Sequence, residues 1–209
     1  MPVFRKDGRK ILFVHVPKTG GSTIERVFKN SGYVTTYLDG RMGRDNMNHL
    51  RRSTPQHMEA ELLRMLFRID RFDLVFMMVR DPVRRLQSEY LWRTRRREVG
   101  VDGARVEAWA QQNFAKCKVD PHLHDNHIRP QADFYLQEAE VHYFEDGLSA
   151  IVEKLDQTHD LGLTRDVPRV REGAHSAGYS SKDVEITPSL LTQIQEFYRA
   201  DYERFGYTA

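Results

Sequence analysis

The most constraining feature of the sequence is an apolar run that leads through a glycine-containing turn into an amphipathic segment, over residues 10–28. The run KILFVHV, residues 10–16, predicts a buried strand because it is apolar and rich in β-branched residues. The letters PKTGG predict a turn. Ser22, followed three residues later by Glu25, predicts a capping box at the start of a helix. We therefore expect a strand, a tight loop and a helix in direct succession.

This succession predicts a binding site for an anion. Gly20 and Gly21 let the backbone approach phosphate oxygens closely, and the N–H groups of a helix N-terminus attract negative charge. Lys18 adds a cation, while Ser22 and Thr23 add hydroxyl groups. The lysine precedes the glycines, whereas it follows them in the common nucleotide P-loop. A tight turn with a surface lysine is the structural alternative.

The rest of the chain predicts an α/β fold. Its 209 residues, 40% of them hydrophobic, suffice for one domain with a core that needs no disulfide or metal. Strands and helices alternate, which favours a three-layer α/β/α arrangement around a central parallel sheet. We predict a single domain over residues 1–209. The predicted strands lie at 10–16, 33–38, 74–79 and 140–145, and the predicted helices begin at Ser22, Pro55 and Pro82 or cover 104–116, 147–157 and 188–204.

The charge is segregated, although the formal net charge is only +2. The segment Arg80–Arg97 holds seven arginines against two acidic residues, which indicates an anionic ligand or, alternatively, solvated helix faces. A nucleic-acid-binding module is a further alternative, but the segment carries no recognised binding motif. We therefore expect no nucleic-acid partner.

A second motif lies about sixty residues after the first. Residues 79–90, VRDPVRRLQSEY, place an arginine at the end of a predicted strand and a serine about two helical turns later, with Asp81 as helix cap. Together with HVPKTGGSTI, this segment resembles the sulfotransferases that use 3′-phosphoadenosine 5′-phosphosulfate (PAPS). The similarity is greatest to the branch of carbohydrate O-sulfotransferases and their soluble bacterial relatives. VHYFEDGLSAIVEKL and EFYRADYERFGY resemble later parts of that family, and residues 173–180 occupy the place of its nucleotide-covering loop.

The resemblance implies a P-loop-like sulfotransferase fold, PAPS as the sulfuryl donor and a carbohydrate or small-molecule hydroxyl as the acceptor. It implies that Arg80 and Ser88 bind the 3′-phosphate of the donor. It also implies that the 5′-phosphosulfate is bound by the loop residues Lys18, Thr19, Gly20, Gly21, Ser22 and Thr23. Lys18 is then placed to neutralise charge on the leaving phosphate.

Two histidines compete for the role of general base, for which imidazole is suited because its pKa lies near neutrality. His57 is predicted in the first turn of a helix, whose dipole disfavours the protonated ring. His127 lies in HIRPQ, which resembles a His-x-x-Pro-Gln segment of carbohydrate sulfotransferases. A surface or loop histidine is the alternative for each. His124 and His127 have zinc-like spacing, but they lack a cysteine or acidic complement, so we expect no metal.

The cysteine content and the apolar segments of the sequence bear on the cellular location. Cys117 is the only cysteine, and the chain has neither an 18-residue apolar run nor an apolar signal-peptide core, so we expect a cytoplasmic protein without a membrane span. The sequence leaves the oligomeric state open.

A small-molecule kinase is the alternative function for a chain with the PKTGGST loop, residues 17–23. It would need a magnesium-binding carboxylate, for which Asp81 is the candidate.

Overall fold

The structure is a computed structural model that describes residues 1–41, 44–96, 99–168 and 178–208. The chain forms two compact units. The first comprises Met1–Val79 and Asp133–Val170, and the second comprises Arg80–Ala132 and Arg171–Ala209. The single domain over residues 1–209 stays a prediction.

The described residues form five strands and eight α-helices, which confirms the α/β class. The strands are β1 Val3–Lys6, β2 Arg9–Val14, β3 Val34–Thr36, β4 Leu74–Val79 and β5 Glu140–Tyr143. The helices are α1 Gly21–Asn30, α2 Ala60–Leu66, α3 Pro82–Thr94, α4 Gly103–Val119, α5 Leu123–Asn126, α6 Leu148–His159, α7 Pro188–Phe197 and α8 Arg199–Phe205. Within the described ranges, no helix has the length and apolar character needed to cross a bilayer.

The five strands form one mixed sheet in the order β3-β1-β2-β4-β5. β2, β4 and β5 are parallel, as expected, but β1 is antiparallel to both β2 and β3. The expected central parallel sheet is therefore confirmed for β2, β4 and β5, whereas the sheet as a whole is mixed. The physical reason is the two-residue connection Asp7-Gly8, where both residues have positive φ values of 48° and 84°. This turn reverses the chain directly, and Asp-Gly is a strong hairpin signal.

The first unit is held together by apolar residues on the sheet and two helices. α1 and α6 pack on one face of the sheet, where Phe28 stacks on Phe4 with ring centroids 4.1 Å apart. Phe13 and Phe76 stack beside them at 4.8 Å. Alternate strand residues on the opposite face, such as Leu12, are also buried. Both faces of the sheet are thus withdrawn from water, as a strand such as LVFMMV requires.

Several predicted helix boundaries differ from the structure. α1 begins at Gly21 and not after Ser22, because Gly20 is its N-cap and the Glu25 side chain bonds elsewhere, so the predicted capping box is wrong. The helix predicted from Pro55 is a 3₁₀ turn, Pro55–His57, followed by α2. α2 begins later because the Glu59 carboxylate accepts a hydrogen bond from the Leu62 N–H at 3.3 Å.

The second unit is helical. α3, α4 and α7 share an apolar core that includes Leu86, Val106 and Ile194. Asp81 caps α3 as predicted, since its Oδ1 accepts a hydrogen bond from the Arg84 N–H at 2.8 Å. The predicted C-terminal helix is divided at Tyr198 into α7 and α8.

Candidate functional site

The loop between β2 and α1 has an unusual backbone. Lys18 and Gly20 both adopt left-handed conformations, with φ values of 69° and 86°. The Thr19 side chain is fully buried, and its hydroxyl donates a hydrogen bond to the Val16 carbonyl at 2.8 Å. Left-handed residues within a turn are characteristic of backbone anion sites, because they orient neighbouring N–H groups together. Since the Thr19 hydroxyl stabilises the loop itself, this residue would offer a ligand its backbone N–H.

The two loop glycines are required by close neighbours as well as by conformation. A Cβ on Gly20 would lie 2.9 Å from Leu148 Cδ2 and 3.0 Å from Phe144 Cε2. A Cβ on Gly21 would overlap the imidazole ring of His15, with Nε2 as the nearest atom. The N-terminus of α1 therefore lies close to the end of β2, and an anion there would meet backbone atoms.

His15 is the centre of a buried polar cluster behind this loop. Its Nδ1 lies 2.6 Å from Glu25 Oε1, and both side chains are less than one-tenth exposed. Gln56 Nε2 donates to both oxygens of Glu25, at 2.9 and 3.2 Å. The His57 ring contacts the His15 ring edge-on, with centroids 4.9 Å apart. The candidate base His57 is thus adjacent to the residue that contacts Gly21.

The surroundings of His57 differ from the prediction. It is buried, at 8% exposure, and it lies in a 3₁₀ turn rather than in the first turn of an α-helix. The expected influence of a helix dipole on its ring therefore does not apply. The sequence predicted Glu25 only as part of a capping box. The available signal for another role was that Gly21 and Glu25 lie four residues apart, on one face of α1.

In the second unit, Arg80 is held through its backbone. The Gln131 side-chain amide accepts a hydrogen bond from the Arg80 N–H at 2.9 Å and donates one to the Arg80 carbonyl at 2.8 Å. Gln131 is fully buried and also donates to Asp201 Oδ2 at 3.3 Å. Burial raises the pKa of Asp201, and the Arg85 guanidinium opposes that shift. The HIRPQ segment thus ends on a residue that orients Arg80.

His127, at the start of the same segment, is bonded to α3. Its Nδ1 lies 2.7 Å from Glu89 Oε2, and the other carboxylate oxygen of Glu89 lies 2.6 Å from Arg93 Nε. Glu89 directly follows Ser88, which is half-buried on α3. α3 therefore carries both a proposed 3′-phosphate ligand and the partner of a candidate base. Sequence reasoning assigned no role to Glu89.

His124 is unsuited to the zinc arrangement that its spacing suggested. Its Nε2 lies 2.9 Å from Asn113 Oδ1, which is a hydrogen-bond acceptor. Burial, together with the Arg93 charge, lowers the pKa of His124 to about 4. The ring is therefore neutral near pH 7, and one of its nitrogens is already occupied by Asn113.

Two further sequence predictions concern segments only partly covered by the structure. The proposed nucleotide-covering loop, residues 173–180, falls largely on residues 169–177, which lie outside the described residues. Arg97 also lies outside them. Among the other arginines of Arg80–Arg97, Arg85 is buried, Arg93 pairs with Glu89 and Arg95 stacks on Trp92. Much of this basic segment is thus engaged in internal contacts.

Comparison with known proteins gives one clear result. The model of a family described as the sulfotransferase family matches residues 1–208, nearly the whole chain. No curated protein and no solved structure matches the chain. The matched range includes the loop after β2, Arg80 with Ser88, and the HIRPQ segment. A chain matched over almost its full length, with a sheet and helices consistent with that fold, belongs to the sulfotransferase family.

Proposed function

We propose that the protein transfers the sulfuryl group of PAPS to an acceptor hydroxyl. The observation that carries this proposal is the glycine loop at the N-terminus of α1, with left-handed Lys18 and Gly20. Such a loop suits an oxyanion group because backbone N–H groups and the helix dipole act together. Membership of the sulfotransferase family supports sulfuryl transfer as the reaction.

The residues present fit the donor. Leu148, Phe144 and His15 lie directly against the loop at positions 20 and 21, so only glycine fits there. The absence of side chains at these positions leaves the backbone N–H groups of the loop accessible to a ligand. In this proposal the phosphosulfate is held by the loop from Lys18 to Thr23. Arg80 and Ser88 hold the 3′-phosphate, for which the planar guanidinium offers paired donors. We also propose that the strands and helices form the P-loop-like, three-layer fold of PAPS-dependent sulfotransferases.

The chemistry follows from charge and proton balance. The acceptor oxygen forms a bond to sulfur while the bond from sulfur to the phosphate oxygen breaks, and that electron pair leaves with the phosphate. Lys18 compensates the negative charge that develops on the leaving oxygen. The hydroxyl proton passes to a histidine, either His57 or His127. Binding and charge compensation supply the remaining acceleration, and the scheme requires no metal.

The acceptor, the absence of a nucleic-acid partner and the cellular location are also part of the proposal. A carbohydrate hydroxyl is the proposed acceptor, because HVPKTGGSTI and HIRPQ resemble segments of carbohydrate sulfotransferases. Nucleic acid is not a proposed partner, because Arg85, Arg93 and Arg95 are engaged within the protein. A cytoplasmic location is proposed because Cys117 is the single cysteine of the sequence, so the chain cannot form an intramolecular disulfide.

The donor site is tested by calorimetric titration with adenosine 3′,5′-bisphosphate. We expect the wild-type protein to bind it, Arg80→Ala to bind it at least tenfold more weakly, and Lys29→Ala, an exposed lysine of α1, to bind it normally. Lys18→Ala is expected to abolish turnover and to preserve the circular dichroism spectrum. Binding of ATP with magnesium, but not of the bisphosphate, would reject the proposal in favour of a kinase.

The base is tested by turnover with PAPS and a panel of hydroxyl acceptors. The histidine that acts as base should lose about 10²- to 10⁴-fold in kcat when it is replaced by alanine, with bisphosphate affinity retained. His57→Ala and His127→Ala therefore form a matched pair. Full turnover in both variants would contradict a histidine base.

A further inference from the structure

Glu89 is a deeply buried carboxylate that contacts Arg93 and His127 in the second unit. Its side chain is 2% exposed, whereas the His127 ring is 13% exposed. One carboxylate oxygen is 2.6 Å from Arg93 Nε and the other is 2.7 Å from His127 Nδ1. A buried carboxylate is tolerated when it is paired and hydrogen-bonded in this way. Glu89 is therefore held by a cation on one side and by imidazole on the other.

This contact determines where the proton of a neutral His127 ring lies. An ionised carboxylate can only accept hydrogen bonds, so His127 Nδ1 must carry the hydrogen at a separation of 2.7 Å. The other nitrogen, Nε2, is then unprotonated in the neutral ring and can accept a proton. When it does so, the imidazolium cation has the Glu89 carboxylate beside it. The arrangement is that of a base oriented by a third group.

The backbone of His127 is fixed by the same helix. Arg85 and Glu89 lie four residues apart and therefore on one face of α3. The Arg85 guanidinium donates to the His127 carbonyl at 3.4 Å and also to the Arg129 carbonyl. One helix face thus holds both the ring and the main chain of His127. Ser88, the proposed ligand of the 3′-phosphate, directly precedes Glu89 on this helix.

We propose that Glu89 is a positioning residue that holds His127 as the Nδ1–H tautomer, so that Nε2 accepts the proton of the acceptor hydroxyl. This inference rests on the proposed function, and it assigns the role of base to His127 instead of His57. The proton moves from the hydroxyl to His127 Nε2, while the Nδ1 proton stays between His127 and Glu89. Because Glu89 follows Ser88 directly, α3 carries both a proposed 3′-phosphate ligand and the residue that positions the base.

The first test is Glu89→Gln, which preserves the size of the side chain and removes its charge. Gln can donate to Nδ1 as well as accept, so the tautomer is no longer dictated. We expect kcat to fall about 10²- to 10⁴-fold, the range for loss of a general base, while bisphosphate affinity and the KM for PAPS change less than about threefold. Glu89→Asp, which keeps the charge, is expected to recover part of kcat, and it replaces Glu89→Gln if that variant does not fold.

Glu107→Gln is the matched control. Glu107 is also a hydrogen-bonded carboxylate of the second unit, since it accepts from Thr187 at 2.6 Å and from Ser189 at 2.7 Å. We expect its replacement to lower thermal stability and to leave kcat unchanged. If Glu89→Gln lowers kcat no more than Glu107→Gln does, Glu89 has a structural role only and the proposal is rejected.

A double-mutant cycle separates action through His127 from an independent effect. If Glu89 acts through His127, then Glu89→Gln adds less than about threefold to the loss already caused by His127→Ala. Losses that multiply would reject the proposal. Full turnover by His127→Ala would also reject it while leaving sulfuryl transfer intact, whereas failure of the wild-type protein to bind bisphosphate would reject the proposed function itself. Nitrogen-15 NMR of the wild-type imidazoles adds a readout without mutation, and an Nε2–H tautomer at His127 contradicts the positioning role.

Discussion

Replacement of Gly21 by alanine gives the sharpest test of the geometry behind the loop. Gly21 is the first residue of α1 and has no positive φ, so its backbone accepts alanine without conformational strain. The added Cβ, however, would occupy the position of the His15 ring. That ring is 4% exposed and bonded to Glu25, so it cannot move into solvent without breaking a buried interaction.

The expected cost follows from these two contacts. Loss of a hydrogen bond to a charged, buried group costs about 1.5–3 kcal/mol, and inserting a methyl group into a packed site costs about 1–3 kcal/mol. The preference of helices for alanine over glycine offsets at most about 1 kcal/mol. We therefore expect Gly21→Ala to lower the free energy of unfolding by about 1.5–5 kcal/mol. Since the N-terminus of α1 must shift, bisphosphate affinity should fall as well.

The assay is urea unfolding followed by far-ultraviolet circular dichroism, performed in two backgrounds. In the wild-type background Gly21→Ala should show the full loss. In the His15→Ala background the ring is absent, so the same change should cost less than about 0.5 kcal/mol, and the difference is the coupling free energy. An equal loss in both backgrounds would refute the reasoning, because the cost would then be independent of His15.

Three further predictions concern the second unit. Asp81→Ala removes the cap of α3 and should cost about 1 kcal/mol in urea unfolding, with Asp81→Ser recovering most of it; no loss would contradict the capping role. Gln131→Leu removes both hydrogen bonds to the Arg80 backbone, so calorimetry should detect weaker bisphosphate binding, and unchanged affinity would show that Arg80 does not depend on them. The folded pKa of His124 is about 4, below its ordinary value of 6.5, so the unfolded state takes up its proton first as the pH falls. The free energy of unfolding should therefore decrease between about pH 6.5 and 4, by less than ~1.4 kcal/mol per pH unit, which is the slope for one proton bound only by the unfolded state. His124→Gln should flatten that decrease, and an identical pH dependence in wild type and variant would refute the assignment.

Some features of the fold could be predicted because their causes are local. β4 was predicted as 74–79 from six apolar residues in a row, and Asp81-Pro82 marked the start of α3. The antiparallel β1 was not predicted, although Asp7-Gly8 is a local hairpin signal, because the strand VFRK has only two apolar residues. The start of α2 was predicted too early because Thr54-Pro55 is a common helix start, whereas the chain forms a 3₁₀ turn there and Glu59 caps the α-helix that follows.

The sequence by itself determined that a strand, a glycine-containing turn and a helix follow one another around Lys18, because turn propensity and hydrophobic periodicity act between near neighbours. It also determined the family, through two motifs in the expected order. Only the tertiary structure decided which residues bond to the candidate histidines. Glu89 and His127 are 38 residues apart, Gln131 and Arg80 are 51 apart, and Glu25 bonds to His15 instead of capping its own helix. A buried carboxylate is stable only when it accepts hydrogen bonds. Tertiary packing determines which donors lie within hydrogen-bond distance of it.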